Sequence, residues 1–153
     1  MSESVDLSDE LRGNWPLPPP GALLPHAPPW LLVDRLVSVA AGEVVADKLV
    51  TANDALHSDG FAETLVIEAL AQTAACLNAL MSKKDASGAP HMGLLVQAKD
   101  FVFEGRAAVG DRITLRCRQT ASFGALCRFS TEAAVGERVI ARGELTFAIG
   151  NPP

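Results

Sequence analysis

The sequence predicts an α+β domain in which an antiparallel sheet covers one long buried helix. Residues 64–81 contain no Gly or Pro and carry apolar side chains on nearly every face, a pattern typical of a helix enclosed by the rest of a protein. Strand-like segments precede and follow this helix, and turn residues separate them. Strands on either side of a single helix indicate an α+β arrangement, and the sheet must curl to cover a helix that is apolar all round.

Two strands joined by a tight turn are predicted before the helix. Residues 30–40 and 43–51 are rich in Val and Leu, and Ala41 and Gly42 between them favour a turn. In the second segment one face carries Val45, Asp47, Leu49 and Thr51, and the other carries Val44, Ala46, Lys48 and Val50. The pair is therefore interpreted as a β-hairpin.

The segments that flank the helix have the composition of loops. Residues 53–63 form an irregular entry, where an Asp-Gly pair at 59–60 indicates a turn and a polar residue is expected to cap the helix. Residues 83–90 end the helix, and Lys83 and Lys84 are favourably placed at its C-terminus because that end carries partial negative charge.

An antiparallel meander is predicted after the helix. Its strand-like segments are residues 91–103, 112–122, 123–134 and 138–149. The second of them alternates strictly, with Ile113, Leu115 and Cys117 on one face and polar or basic side chains on the other. The apolar face is expected to contact the helix.

Length and charge narrow the classes of function. A chain of 153 residues with 48% hydrophobic content is long enough for a single domain with its own core. We assign residues 1–21 to a polar, Pro-rich arm that becomes ordered where it docks, and residues 22–153 to the domain. A net charge of −5 and a pI near 5.1 argue against nucleic-acid binding, which requires clustered Lys and Arg.

A cytoplasmic location is expected from what the sequence lacks. The acidic N-terminus does not have the layout of a signal peptide, and no membrane span is predicted because the longest apolar run contains Glu68 and Gln72. Cys76, Cys117 and Cys127 are odd in number and lack metal-ligand spacing. They are interpreted as small buried apolar residues in a reducing compartment.

The first candidate for chemistry is Glu68, the one carboxylate within the apolar helix. An ionised carboxylate in such a setting is costly unless another group pairs with it or protonates it. Gln72 follows one turn later and is expected to orient Glu68 through a hydrogen bond. The alternative is that Gln72 is a buried amide at a dimer seam and that Glu68 is satisfied by backbone donors or by a partner's Arg.

Two segments carry a resemblance to a known family. Residues 24–35 read LPHAPPWLLVDR and residues 67–72 read IEALAQ. They resemble the opening and the central helix of the FabZ-type 3-hydroxyacyl-acyl-carrier-protein dehydratases, and residues 110–111 and 143–149 also match. The likeness covers about residues 22 to 149. It implies a hot-dog fold, in which a curved antiparallel sheet wraps a long helix and two subunits dimerise side by side.

The sequence departs from this family just before the helix. The family carries its catalytic His in a Gly-His-Phe-Pro-Gly segment, whereas residues 58–63 read SDGFAE, so no His stands between Gly60 and Phe61. The loop to Glu68 is also shorter. The short loop before the helix and the LPHAPP sequence of residues 24–29 resemble the ApeP-like branch of the family. That branch is associated with aryl-polyene and related polyene lipid clusters.

Dehydration of a 3-hydroxyacyl thioester requires a base for the α-proton, an acid for the departing hydroxyl, and dipoles that hold the enolate-like oxygen. A carboxyl group in an apolar setting can serve as the acid, and Glu68 suits that role. A histidine suits the base, and His57 lies in the loop before the helix. The backbone N–H groups near residues 62–65 suit the third role. In the family, the His and Glu of one site come from different subunits.

Other residues are candidates for contact with substrate. The resemblance implies such contacts for Gly60 and Phe61, and Gln72 is a further candidate. His26 is expected either to line the site as base or substrate contact, or to fix the arm by a hydrogen bond. His91, the third histidine, has no motif support.

Charged residues outside the helix have weaker assignments. Asp34 and Arg35 are interpreted as a structural charge pair at the end of a strand. Arg106 and Arg112 are expected near the mouth of the site, where they would attract an anionic phosphopantetheine or carrier-protein surface; the alternative is that they are solvated charges.

The leading functional hypothesis is a hot-dog homodimer that dehydrates 3-hydroxyacyl thioesters on acyl-carrier protein, or on CoA, with no metal or organic cofactor. A higher oligomer or a heterodimer with another hot-dog subunit is also open. One alternative is a non-catalytic subunit that partners an active dehydratase, as the missing motif His suggests. Another is an acyl thioesterase in which a carboxylate activates water.

Overall fold

The protein is described by a computed structural model that covers residues 16–54, 56–57, 60–82 and 93–150. The helices are α1 (Pro20–Leu23) and α2 (Glu63–Met81). The strands are β1 (Arg35–Ala40), β2 (Glu43–Leu49), β3 (Leu56–His57), β4 (Gly60–Phe61), β5 (Gly93–Phe103), β6 (Arg112–Phe123), β7 (Leu126–Val135) and β8 (Arg138–Ile149).

Six of the strands form one antiparallel sheet in the order β1-β2-β6-β7-β8-β5. Strands β3 and β4 pair separately as a short hairpin just before α2. Helix α2 packs against β2, β5, β6 and β7, so the sheet wraps one helix. The α+β prediction is confirmed, and the arrangement is the hot-dog fold that the resemblance implies.

Strand β6 shows how the alternation of residues in the sequence builds the core. Ile113, Leu115 and Cys117 are completely buried, whereas the arginines that alternate with them are exposed. The predicted inner face of this strand is therefore confirmed. Side chains on opposite faces of a strand alternate with a period of two, so the pattern alone determines which face packs on α2.

Helix α2 is the centre of the core, as predicted. Leu70 and Leu77 are completely buried, and burial of each such side chain contributes about 1.5–3 kcal/mol. By length and composition the helix would also suit a membrane span, but more than half of its residues are buried within the domain, which is the environment of a core helix.

The predicted polar cap of α2 is wrong. The N-cap residue is Ala62, which makes no side-chain capping hydrogen bond. Ala62 and Phe61 are both buried, and the Phe61 N–H donates to the Ala107 carbonyl at 2.7 Å. The helix therefore begins inside the core, where a polar side chain would lose its contact with water.

The first predicted strand is also corrected. Residues 30–34 lie outside the sheet, and β1 begins only at Arg35. The N–H groups of Trp30 and Leu31 both donate to the Ala27 carbonyl, at 2.9 and 3.2 Å, which closes a turn. The Leu32 N–H and the Trp30 carbonyl bond to Gln72 of α2, as described below, so they are not available to a neighbouring strand. Pairing with β2 begins at the Asp34 N–H, which donates to the Asp47 carbonyl at 2.9 Å.

Some predicted segments fall outside the described residues. These are the first part of the arm, Asp59 of the predicted turn at 59–60, the loop 83–90 with Lys83 and Lys84, and the start of the 91–103 strand with His91. The chain is described from Pro16, and α1 spans the predicted boundary between the arm and the domain.

An ion pair between Lys48 and Asp54, close to the start of α2, connects β2 to the loop that follows it. Lys48 is 5% exposed, and its Nζ lies 2.8 Å from Oδ1 of Asp54. The second carboxylate oxygen of Asp54 accepts the Thr51 N–H at 2.7 Å. The Lys48 ammonium also lies 5.9 Å from the centre of the Phe61 ring. The pair thus anchors residues 51–54 beside the hairpin that leads into the helix.

The carboxylate of Asp54 is expected to make stability depend on pH. Burial favours its neutral form, but the hydrogen bonds from Lys48 and Thr51 outweigh burial, and the pKa lies below its ordinary value of 3.8. Because the folded-state pKa is depressed, the stabilisation is complete above about pH 5 and is lost as the pH falls through the folded pKa.

Thermal unfolding between about pH 6 and pH 3 measures this dependence. Asp54→Asn should lower Tm at pH 6 and should also show a smaller fall in Tm with acidification than the wild type. Asp100→Asn is the matched control, because Asp100 is exposed and, among the described residues, its one ion pair is with Lys99 at 3.6 Å. Equal slopes for Asp54→Asn and the wild type would contradict the role assigned to this carboxylate.

Candidate active site

Glu68 lies on the second turn of α2, at the boundary between the core and the surface. Its side chain is 41% exposed, so the expectation of a carboxylate enclosed within the helix core is corrected. Oxygen Oε1 accepts a hydrogen bond from Gln72 Nε2 at 3.0 Å and lies 3.6 Å from His26 Nε2. In the described part of the chain, Oε2 has no polar partner. The carboxyl group is therefore held through Oε1, and Oε2 is left for a contact with another molecule.

The hydrogen bond predicted from Gln72 to Glu68 is present, but Gln72 does more than orient the carboxylate. Its side chain is 1% exposed. Its Oε1 accepts the Leu32 N–H at 2.8 Å, and its Nε2 donates to the Trp30 carbonyl at 2.7 Å. Because a backbone N–H only donates and a carbonyl only accepts, these two contacts determine which end of the amide is oxygen.

Among the described side chains, His26 is the histidine that lies beside Glu68 within one chain. Its side chain is 34% exposed, and its Nε2 faces the carboxylate. Its Nδ1 is buried and has no hydrogen-bond partner among the residues that the structure describes. The turn at residues 27–31 and the contacts of Gln72 hold the segment that carries His26 against α2. Sequence reasoning placed His26 near the site but did not predict this pairing.

His57 occupies β3, where its backbone pairs with Gly60 of β4. Its side chain is outside the described structure, so its position relative to Glu68 stays a prediction. The hairpin contains Gly60, whose φ is +118°. A Cβ at this position would overlap the Ala107 carbonyl oxygen, so the close approach of the two backbones requires glycine.

Phe61 does not face the surface beside Glu68. Its ring is 1% exposed and belongs to the hydrophobic core. In the single chain this ring packs in the core, and its contact with substrate stays a prediction. The physical reason for this packing is the period of two in β4, because Gly60 approaches residue 107 while Phe61 points inward against Lys48.

The first turn of α2 presents backbone donors. The Ala62 carbonyl accepts the N–H groups of Leu65 and Val66 at 3.0 and 3.1 Å, which leaves the N–H groups of Glu63 and Thr64 without an acceptor among the described residues. Arg106 Nη2 lies 3.6 Å from Glu63 Oε1 at the same end of the helix. This end of α2 combines backbone donors with one cation.

Two of the predicted charged residues contact the same buried carboxylate. Arg35 Nε lies 2.7 Å and Arg112 Nη1 lies 3.2 Å from Oδ2 of the buried Asp47. Asp34 accepts the Leu49 N–H instead of pairing with Arg35. The predicted charge pair of Asp34 with Arg35 is therefore wrong, because Asp47 binds Arg35 and the backbone of β2 occupies Asp34.

Two of the three cysteines, Cys76 and Cys117, are unsuited to nucleophilic chemistry. All three are free and buried, as predicted. Burial raises the pKa of Cys76 to about 12. Burial and the neighbouring Cys76 also raise the pKa of Cys117. Both thiols therefore stay protonated near neutral pH. The described residues contain no group of three His, Cys, Asp or Glu side chains arranged to hold a metal ion.

Comparisons with known proteins agree with this geometry. A family model described as ApeP-like, ApeP dehydratase, matches residues 18–151. The 3-hydroxyacyl-[acyl-carrier-protein] dehydratase FabZ of Streptococcus mutans is 34% identical over 134 residues, which cover 84% of this chain and 93% of the relative. The FabZ protein of Listeria monocytogenes serotype 4b is 33% identical over 138 residues, 86% of this chain and 93% of that protein.

Solved structures show the same fold at lower identity. The dehydratase heterocomplex ApeI:P from Xenorhabdus doucetiae aligns with a TM-score of 0.76 at 19% identity, over 88% of this chain and 93% of that chain. A hypothetical thioesterase protein with coenzyme A from Streptococcus pneumoniae TIGR4 aligns with a TM-score of 0.64 at 11% identity, over 76% of this chain and 85% of that chain.

Replacing Gln72 with Met is expected to destabilise the protein. Methionine is similar in length but cannot bond to the backbone, so the buried Leu32 N–H loses its acceptor at a cost of about 1–3 kcal/mol. Urea unfolding followed by circular dichroism measures the difference in free energy of unfolding.

Thr73→Val on the same helix is the matched control. The Thr73 hydroxyl is equally buried but donates only to the Ala69 carbonyl one turn earlier, which also accepts the helical N–H. Its removal leaves no buried group unpaired. Equal stability losses in the two variants would show that the contacts of Gln72 with residues 30 and 32 do not stabilise the fold.

Proposed function

The chain belongs to the ApeP-like dehydratase family, and we propose on this basis that it dehydrates 3-hydroxyacyl thioesters to trans-2-enoyl thioesters. The substrates are carried on acyl-carrier protein, as the names of the FabZ relatives indicate for those enzymes. The observation that carries the proposal is the carboxyl group of Glu68, which Gln72 holds through Oε1 at the edge of an otherwise apolar helix. The products belong to fatty-acid or polyene lipid biosynthesis.

The reaction removes a proton from the α-carbon and a hydroxyl group from the β-carbon. A base takes the α-proton, the electron pair of that C–H bond forms the C=C bond, and the β-hydroxyl leaves as water with a proton from Glu68. The thioester oxygen gains negative charge during this step. The N–H groups of Glu63 and Thr64, at the positive end of α2, are suited to stabilise it.

His57 is the proposed base. It belongs to the β3–β4 hairpin that leads into α2, the place where the family has its motif histidine. We assign the base and Glu68 of one site to different subunits, as the family resemblance implies. The site is then complete only when two hot-dog subunits associate.

The proposed contact between subunits is the edge of β5. This strand ends the sheet and has 11 residues. Its side chains Leu94, Val96 and Val102 are 70%, 51% and 57% exposed. A long edge strand with exposed apolar side chains is a template for pairing with another chain. The partner is a second copy or a related hot-dog subunit.

A second candidate function is that of a non-catalytic subunit. The absence of a His between Gly60 and Phe61 favours it, and the ApeI:P structure is by its description a dehydratase heterocomplex. In this case the chain would contribute Glu68 or part of the substrate-binding wall to a site whose base belongs to an active partner.

Assays of 3-hydroxyacyl-thioester dehydration test the proposed roles. Glu68→Gln and His57→Ala are each expected to lower kcat by about 10²- to 10⁴-fold, because each removes a proton-transfer group. Glu132→Gln is the control, since Glu132 lies on the sheet in contact with Arg142 at 3.4 Å. Full activity in both site variants would overturn the assignment.

The same assays separate the two candidate functions. Activity of the purified chain alone supports the dehydratase proposal, whereas activity that appears only after addition of an active hot-dog dehydratase supports the non-catalytic subunit. Release of free thiol from an acyl-CoA without formation of the enoyl product would instead indicate a thioesterase.

Size-exclusion chromatography with light scattering tests the β5 contact. Val96→Lys is expected to shift the protein from dimer toward monomer, because it places a charge in the apolar edge. Val37→Lys on β1, at the opposite edge of the sheet, is the control, since Val37 is also exposed, at 40%. A dimer that resists Val96→Lys but dissociates with Val37→Lys would assign the interface to the other edge.

A further inference from the structure

We propose that His26 is a positioning residue for Glu68: its Nε2–H bonds to Oε1 and thereby directs the reactive proton of the carboxyl group to Oε2. This inference rests on the proposed function in taking Glu68 as the acid. It differs from that function in naming a second group, from the same chain, that determines which oxygen of Glu68 acts.

The first observation is the distribution of donors around the carboxyl group. Gln72 Nε2 donates to Oε1 at 3.0 Å, and His26 Nε2 lies 3.6 Å from the same atom. The second distance exceeds a hydrogen bond by a few tenths of an ångström, which a small rotation of either exposed side chain removes. Oε2 receives neither contact.

The chemistry of a protonated carboxyl group explains why this asymmetry matters. One oxygen carries the proton and the other is carbonyl-like, and a carbonyl-like oxygen accepts hydrogen bonds. Two donors on Oε1 therefore place the proton of Glu68 on Oε2. When that proton leaves with the substrate hydroxyl, negative charge develops on the carboxyl group, and the same two donors stabilise it.

The second observation is the environment of the other ring nitrogen. His26 Nδ1 is buried and has no hydrogen-bond partner in the described part of the chain. A buried N–H without an acceptor is rarer and more costly than an acceptor that is left unused. The neutral ring is therefore protonated on Nε2, the atom that faces Glu68. This tautomer is a donor, as the positioning role requires.

The backbone around His26 supports the geometry. Gln72 bonds to residues 30 and 32, and the Leu24 N–H donates to the Pro20 carbonyl at 2.9 Å on the other side of His26. Leu24 is buried in the core. Residue 26 is thus held from both directions, and the amide that anchors its segment is also the second donor to Glu68.

Three variants of His26 test the proposal in the dehydration assay. Glutamine places an N–H at the position of Nε2, asparagine places one near Nδ1, and alanine places none. His26→Ala and His26→Asn are expected to lower kcat by about 10- to 100-fold, the effect of losing a hydrogen bond to a charged group, with KM changed by less than about threefold. His26→Gln is expected to restore kcat to within about threefold of the wild type.

Two results in this series would overturn the inference. Loss of activity in His26→Gln equal to that in His26→Ala would mean that the imidazole itself exchanges a proton. Wild-type activity in His26→Ala would mean that His26 does not act on Glu68. Equal Tm values across the series show that the differences in kcat do not arise from unfolding.

A measurement that needs no turnover separates this inference from the proposed function. The ¹⁵N spectrum of histidine-labelled protein, assigned with His26→Gln, reports which nitrogen of the neutral ring carries the proton. Protonation at Nε2 supports the pair even if the purified chain dehydrates no substrate, in which case the proposed function alone fails. Protonation at Nδ1 overturns the positioning role whatever the activity.

Discussion

The amide of Gln72 joins helix α2 to the extended segment before the sheet, and the geometry around Glu68 depends on it. One planar group accepts the Leu32 N–H, donates to the Trp30 carbonyl and donates to Glu68 Oε1. Because it is buried, each of these bonds is expensive to lose. The carboxyl group and the segment that carries His26 are therefore held by the same side chain, and neither moves without disturbing the other.

Much of this architecture could be predicted from the sequence because periodicity is local. The strict alternation in β6 identifies Ile113, Leu115 and Cys117 as inner residues, and the uninterrupted apolar run of α2 identifies the helix and its burial. The prediction fails where long-range contacts override local pattern. Residues 30–34 have the composition of a strand. However, the N–H groups of residues 30 and 31 close a turn, and the N–H of Leu32 donates to the side chain of Gln72, 40 residues away.

Part of the candidate site could also be predicted from the sequence, and part of it could not. Glu68 could be found because a carboxylate in an apolar helix is conspicuous, and Gln72 because residues four apart share a helix face. The approach of His26 to Glu68 could not, since it depends on the path of residues 24–32 over the helix. The prolines of that segment were the available signal of an irregular path, because they exclude both a helix and an inner strand there. His57 was identified by motif position, and its role remains a proposal.

The two edges of the sheet differ in a way that bears on assembly. Strand β5 has 11 residues and exposes Leu94, Val96 and Val102, whereas β1 has six residues and exposes one large apolar side chain, Val37. A short edge strand offers less backbone for pairing with another chain. In the β5 pairing that we propose, each subunit uses its long apolar edge once, and the joined sheets leave only their short β1 edges for further pairing. Such an assembly would stop at two sheets instead of growing into an open-ended fibre.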